Sequence, residues 1–94
     1  MTKPITKSSG NVFLDLGFDA AEAQVLLLRA DLMTDLAKFI QDKGLTQAAA
    51  ARLLGVSQSR VSDLVRGKYE KFSLDMLVTM EGKLGRKITM KFAA

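Results

Sequence analysis

LTQAAAARLLGVSQSRVSDLVRGK, residues 45–68, contains two short helices and the turn between them. Thr46 is placed to cap the first, and Ala48 to Ala51 propagate it, since alanine is the strongest intrinsic helix former and its small side chain permits close helix approach. Gly55 interrupts that helix after about two turns. Ser57 is suited to cap the second helix, which the pattern carries to about Arg66 before Gly67 stops it.

The spacing around Gly55 meets the demands of a helix-turn-helix. Such a motif needs a small residue where the helices cross, and Ala51 supplies it. It needs a residue tolerant of an unusual backbone angle in the turn, which is Gly55. It also needs apolar anchors between the helices, and Leu54, Val56, Val61 and Leu64 stand at fitting offsets. The outward positions of the second helix are then Gln58, Ser59, Arg60, Ser62, Asp63 and Arg66, all polar. Taken alone, a Gln-Ser-Arg patch reads as solvated surface and an alanine-rich helix as a tight bundle contact. Their combination around Gly55 is what an arbitrary bundle has no reason to contain.

These residues resemble the helix-turn-helix of Cro/C1-type (XRE-family) regulators, in the Thr-Gln opening, the alanine, and the Leu-Gly-Val-Ser and Val-Ser-x-Leu positions. The flanks NVFLDLGF (11–18) and KFSLDML (71–77) resemble a subgroup found as antitoxins of HigA type. The resemblance implies a lambda-repressor-like, mainly α domain that binds a double-stranded DNA operator as a repressor. By the same resemblance Gln47 matches a backbone-phosphate contact, and Gln58, Ser59 and Asp63 match positions facing base edges in the major groove. Ser57 and Ser62 complete the polar face of that helix. Arg60 has the length to reach a base or a phosphate, and Arg66 and Lys68 suit phosphate contacts. Glutamine pairs bidentately with adenine, and arginine with guanine or phosphate. Asp63 departs from the amide or basic residue usual at its position. Three roles stay open for it: accepting from a cytosine amino group, orienting Arg60 or Arg66, or repelling phosphate.

Working outward, the chain on either side divides readily. Residues 1–10 are polar and rich in breakers and read as a flexible tail. In Asn11 to Phe18, Val12, Leu14 and Leu16 alternate, as in a strand or an extended arm, and Gly17 allows a turn. Asp19 and Glu22 form a capping-box pattern at the start of a long helix, Ala20 to about Asp42. Its apolar face is expected at Val25, Leu28, Leu32, Leu36, Phe39 and Ile40, with Gly44 at its end. Ser73 caps a last helix, about Leu74 to Leu84, before Gly85. From Arg86 to Phe92, Ile88, Met90 and Phe92 alternate with Lys87, Thr89 and Lys91, the pattern of a half-buried β-strand. The expected partners of that strand are its two-fold mate, residues 12–16, or another protein.

Ninety-four residues suit one domain, here expected over residues 11–94, and 48% apolar with 26% charged composition is that of a folded chain. The net charge of +4 is uneven: residues 1–44 carry −1 and residues 45–94 carry +5. A cationic half attracts a phosphate backbone, although on charge alone a solubilising surface explains it as well. Absence of cysteine excludes disulfides and thiolate metal sites, and absence of histidine removes the commonest general base and zinc ligand. With no paired carboxylates and no glycine-rich phosphate loop, no enzyme, cofactor or metal is expected. Lys3 and Lys7 are not followed by an apolar run, and Val25 to Leu28 is far shorter than a bilayer span. A cytoplasmic protein without a membrane partner is therefore expected.

Small regulators of this type act as symmetric dimers, so a homodimer is expected. The antitoxin resemblance adds a small RNA-cleaving toxin of the RelE/HigB type, with Phe13, Leu14, Leu16, Phe18 and the first long helix as contact surfaces, unless those residues cap the protein's own core. A stand-alone phage-type repressor and a protein-binding adaptor on the same fold are the alternatives.

Overall fold

A computed structural model describes residues 11–93, so the expected tail, residues 1–10, lies outside the described residues. Among the described residues five α-helices follow one another: α1 Val12–Asp15, α2 Ala20–Asp42, α3 Gln47–Leu54, α4 Gln58–Val65 and α5 Leu74–Lys83. A 3-10 turn, Tyr69–Lys71, links α4 to α5.

The helix starts lie where short polar side chains can take up free backbone N–H groups. Asp19 Oδ1 accepts from Glu22 N at 2.8 Å. Thr46 Oγ1 accepts from Ala49 N, Ser57 Oγ from Arg60 N and Ser73 Oγ from Met76 N, each at 3.1 Å.

The expected strand or arm at residues 11–18 is instead helix α1. Asn11 accepts from Phe13 N at 3.0 Å as its N-cap, and its own Nδ2 donates to Ala23 O at 3.1 Å, tying the short helix to α2. The alternating residues Val12, Leu14 and Leu16 are all exposed, and Phe13 between them is buried. Two edge-to-face contacts explain the reversal. The Phe13 ring meets Phe18 at 6.1 Å and Tyr69 at 5.4 Å, so one aromatic anchor decides which side faces inward.

The face of α2 also differs from expectation. Leu32, Leu36 and Ile40 are buried as expected, but Ala23, Leu26 and Met33 join them while Val25 is exposed. A helix of 23 residues extends about 34 Å and meets different neighbours along its length. Its N-terminal part closes a small cluster with Phe13, and its C-terminal part carries the main core. That core is centred on Leu36, Val61, Leu64, Leu77 and Met80, all at 2% exposure or less. Full burial of such side chains stabilises the fold by roughly 1.5–3 kcal/mol each.

The expected C-terminal strand is not formed: no strand occurs among the described residues, and residues 86–93 carry no regular element. A strand exists only as part of a ladder, and α1 has removed the one partner within the chain that the sequence offered. The segment is nevertheless held at its start. Arg86 lies 3.2 Å from an Asp35 carboxylate oxygen and 3.6 Å from Glu81, and its guanidinium sits over the Phe39 ring. Glu81 is only 2% exposed. Burial, reinforced by the neighbouring Asp35 carboxyl, pushes its pKa up to about 8, against the opposing pull of Arg86.

Candidate nucleic-acid interface

Helices α3 and α4 pack on one another, and both pack on the rest of the bundle, α4 on α2 and α3 on α5. Ala50 and Ala51 of α3 are buried in the main core, and their small side chains permit close helix approach. Gly55 adopts φ +71°, the left-handed conformation that costs other residues about 1–2 kcal/mol. The N–H of Val56 donates to Ala51 O at 3.0 Å and closes the turn. Leu54, Val61 and Leu64 are buried in the main core, with Val56 packed partly against it. The anchors expected from the sequence are therefore part of the core on which both α3 and α4 pack.

What this leaves outside is a mainly polar surface, in which Leu53 of α3 and Val65 of α4 are also exposed, at 46% and 42%. Gln47 is exposed as the first residue of α3, and Gln58 and Ser59 are exposed in the first turn of α4. Ser57 is exposed, and its oxygen accepts from Arg60 N, which leaves its hydroxyl hydrogen free to donate outward. Ser62 and Asp63 are half-buried further along α4. Arg66 is exposed at the C-cap, and Lys68 is half-buried just beyond, its backbone N–H donating to Asp63 O at 3.0 Å. Among the described residues Asp63 forms no ion pair with Arg60 or Arg66.

Arg60 is engaged within the protein. Its Nη1 donates to Lys71 O at 3.0 Å, and its guanidinium carbon lies 5.5 Å from the centre of the buried Phe72 ring. It clamps α4 to the end of the 3-10 turn, so its reach toward a ligand is restricted by contacts eleven and twelve residues away. Lys83 is a neighbour that sequence reasoning did not find. A methyl group at position 55 would stand 3.7 Å from Lys83 Cε, so this α5 side chain lies along the turn and adds a cation there. Nothing local marks it, because α5 reaches the turn only through tertiary packing.

No helix among the described residues is long and apolar enough to cross a membrane. No match to the chain is found among curated proteins. Residues 12–93 match the family described as helix-turn-helix domain, and with that match covering all five helices the chain belongs to the helix-turn-helix domain family.

Proposed function

We propose that the protein is a sequence-specific DNA-binding repressor that works as a homodimer, with α4 as the helix that enters the major groove. The observation that carries this reading is the division of α4. Val61 and Leu64 are buried against the bundle, while Gln58 and Ser59 stand exposed at the N-terminal end, where helices of this motif meet base edges. In this reading Gln58, Ser59, Ser62 and Asp63 face the groove. Gln47, Ser57, Arg66 and Lys68 contact phosphates, and Arg60 positions the helix rather than reading a base.

Fluorescence anisotropy with DNA from upstream of the gene, beside a scrambled duplex of equal length, tests the proposal. Tighter binding to the upstream DNA, lost in Gln58→Ala, is the expected result. Equal affinity for both duplexes would reduce the protein to a generic cationic binder, and none for either would favour a protein-binding module.

A finer reading makes the repressor the antitoxin of a type II pair that controls its own operon and neutralises a RelE/HigB-like RNA-cleaving toxin. It rests on the resemblance at residues 11–18 and 71–77, and on the apolar side chains that α1 and its C-cap leave in solvent: Val12, Leu14 and Leu16, at 55%, 49% and 67% exposure. Co-expression with the neighbouring reading frame is the test. Growth arrest by the neighbour alone, relieved by this protein and not by its Leu14→Asp variant, is expected. A harmless neighbour ends this reading without touching the DNA proposal.

A further inference from the structure

Among the described residues the main core is drawn from α2 to α5 and Phe72, and it contains no residue of α1. Helix α1 reaches the interior through Phe13, which closes the small cluster with Ala23 and Leu26. The Phe13 ring also meets the ring of Tyr69, the first residue of the 3-10 turn, edge-to-face at 5.4 Å and 76°. Tyr69 packs against both the small cluster and the main core. Arg29 of α2 adds a second hold, its Nη1 donating to Tyr69 O at 3.4 Å. The first helix of the chain is thus built onto the turn that follows α4.

That turn lies among cations: Arg66 and Lys68 precede it and Lys71 ends it. Its internal hydrogen bonds are local, Lys71 N–H donating to Lys68 O at 3.0 Å and Phe72 N–H to Tyr69 O at 3.2 Å. Bonds of that kind shape a short turn but do not fix it against the bundle. It is fixed at three places. Lys68 N–H donates to Asp63 O at the end of α4, and Lys71 O accepts from Arg60. Between them stands Tyr69, held by Phe13 and Arg29. A cation on a backbone already fixed loses less freedom when it meets a phosphate. We infer, resting on the DNA-binding reading above, that α1 belongs to the DNA-binding machinery: Phe13 fixes Tyr69, and Tyr69 sets the backbone that presents Lys68 to the phosphates. Phe13 and Tyr69 are then positioning residues, which touch no DNA themselves.

Two measurements test this, both made well below the thermal midpoints of the variants. The first is fluorescence anisotropy at several salt concentrations. Tyr69→Leu is expected to weaken the upstream and scrambled duplexes alike and to lower the logarithmic salt slope by about one, the loss of one phosphate contact. Tyr69→Phe keeps the ring and is expected to bind as the wild type does. Lys68→Ala should cost little more in the Tyr69→Leu background, because the two residues act as a unit. An equal loss from Lys68→Ala in both backgrounds, or a Tyr69→Phe as weak as Tyr69→Leu, would overturn the inference. The second measurement is amide hydrogen exchange without DNA. Because the main core contains no residue of α1, Phe13→Ala is expected to keep its helical circular dichroism spectrum. In that variant exchange at Lys71 and Phe72 should quicken by about fivefold or more, with Val61 inside α4 unchanged. Unchanged protection of Lys71 and Phe72 would overturn the inference whatever the DNA measurements show. A wild type that binds no duplex would instead overturn the DNA-binding reading, and with it the task assigned to Lys68.

Discussion

Arg60 and Gln58 lie two residues apart on α4 and do opposite things. Arg60 donates to the Lys71 carbonyl and stacks on Phe72, whereas Gln58 is exposed, with its amide available to a ligand. Arg60→Ala removes one charge-assisted hydrogen bond and one cation–π contact. It is therefore expected to cost about 1–2 kcal/mol, read as a fall of roughly 5–10 °C in the thermal midpoint. Arg60→Lys keeps the charge but not the planar stacking and should recover only part of that loss. Gln58→Ala is expected to leave the midpoint unchanged and to weaken binding to the specific operator by about tenfold or more, the loss of one bidentate base contact. An unchanged midpoint in Arg60→Ala would return that residue to the reading surface. The polar character of α4 was legible from residues 58–66 alone. That one of its side chains is engaged inward was not, because its partners are contributed by a turn the local pattern does not announce.

At the scale of elements, turns and caps govern whether α3 and α4 meet at the right angle. Gly55→Ala forces a side chain into the left-handed region at φ +71° and is expected to lower stability by about 1–2 kcal/mol. Its effect on DNA affinity should exceed that of an equally destabilising core change, since the turn sets the angle of α4; titration of both variants well below their thermal midpoints checks this. Thr46→Ala removes the cap that accepts from Ala49 N and is expected to cost about 1 kcal/mol by chemical denaturation. The starts of α2 to α5 were readable because a cap is a local contract between a side chain and the N–H two or three residues on. The element at residues 11–18 was misread for the opposite reason. Alternation at Val12, Leu14 and Leu16 suits a strand only if those residues are buried, and the Phe13 contacts with Phe18 and Tyr69 turn them outward.

For the whole molecule the buried carboxyl of Glu81 links stability to pH. Its folded pKa of about 8 lies above the ordinary 4.5, so the folded state holds a proton that the unfolded chain has released. Its stabilising contribution is complete below about pH 4.5 and is lost as pH rises toward and through 8. The thermal midpoint is therefore expected to fall between pH 5 and pH 8.5, and Glu81→Gln, neutral throughout, should flatten that slope. A slope identical in wild type and variant would move its origin elsewhere. The charge asymmetry is also a whole-molecule property, with +5 on residues 45–94. Affinity for DNA is expected to fall steeply with salt, and Lys68→Ala or Arg66→Ala should each reduce the logarithmic salt slope by about one while weakening all duplexes alike.

By itself the sequence determined the features that depend on neighbours a few residues apart: four helices with their caps, the left-handed glycine of the turn, the buried anchors, and the polar face of α4. Those are short-range matters of backbone torsion, hydrogen bonding and periodicity, and they recur wherever the same residues do. Tertiary structure alone decided which side of residues 11–18 is buried, that Arg60 is held by Lys71 and Phe72, that Lys83 lines the turn, and that Arg86 anchors the C-terminal segment to Asp35 and Glu81. Each of these joins residues from separate elements, and the energy of such a contact is available only once packing has brought them together.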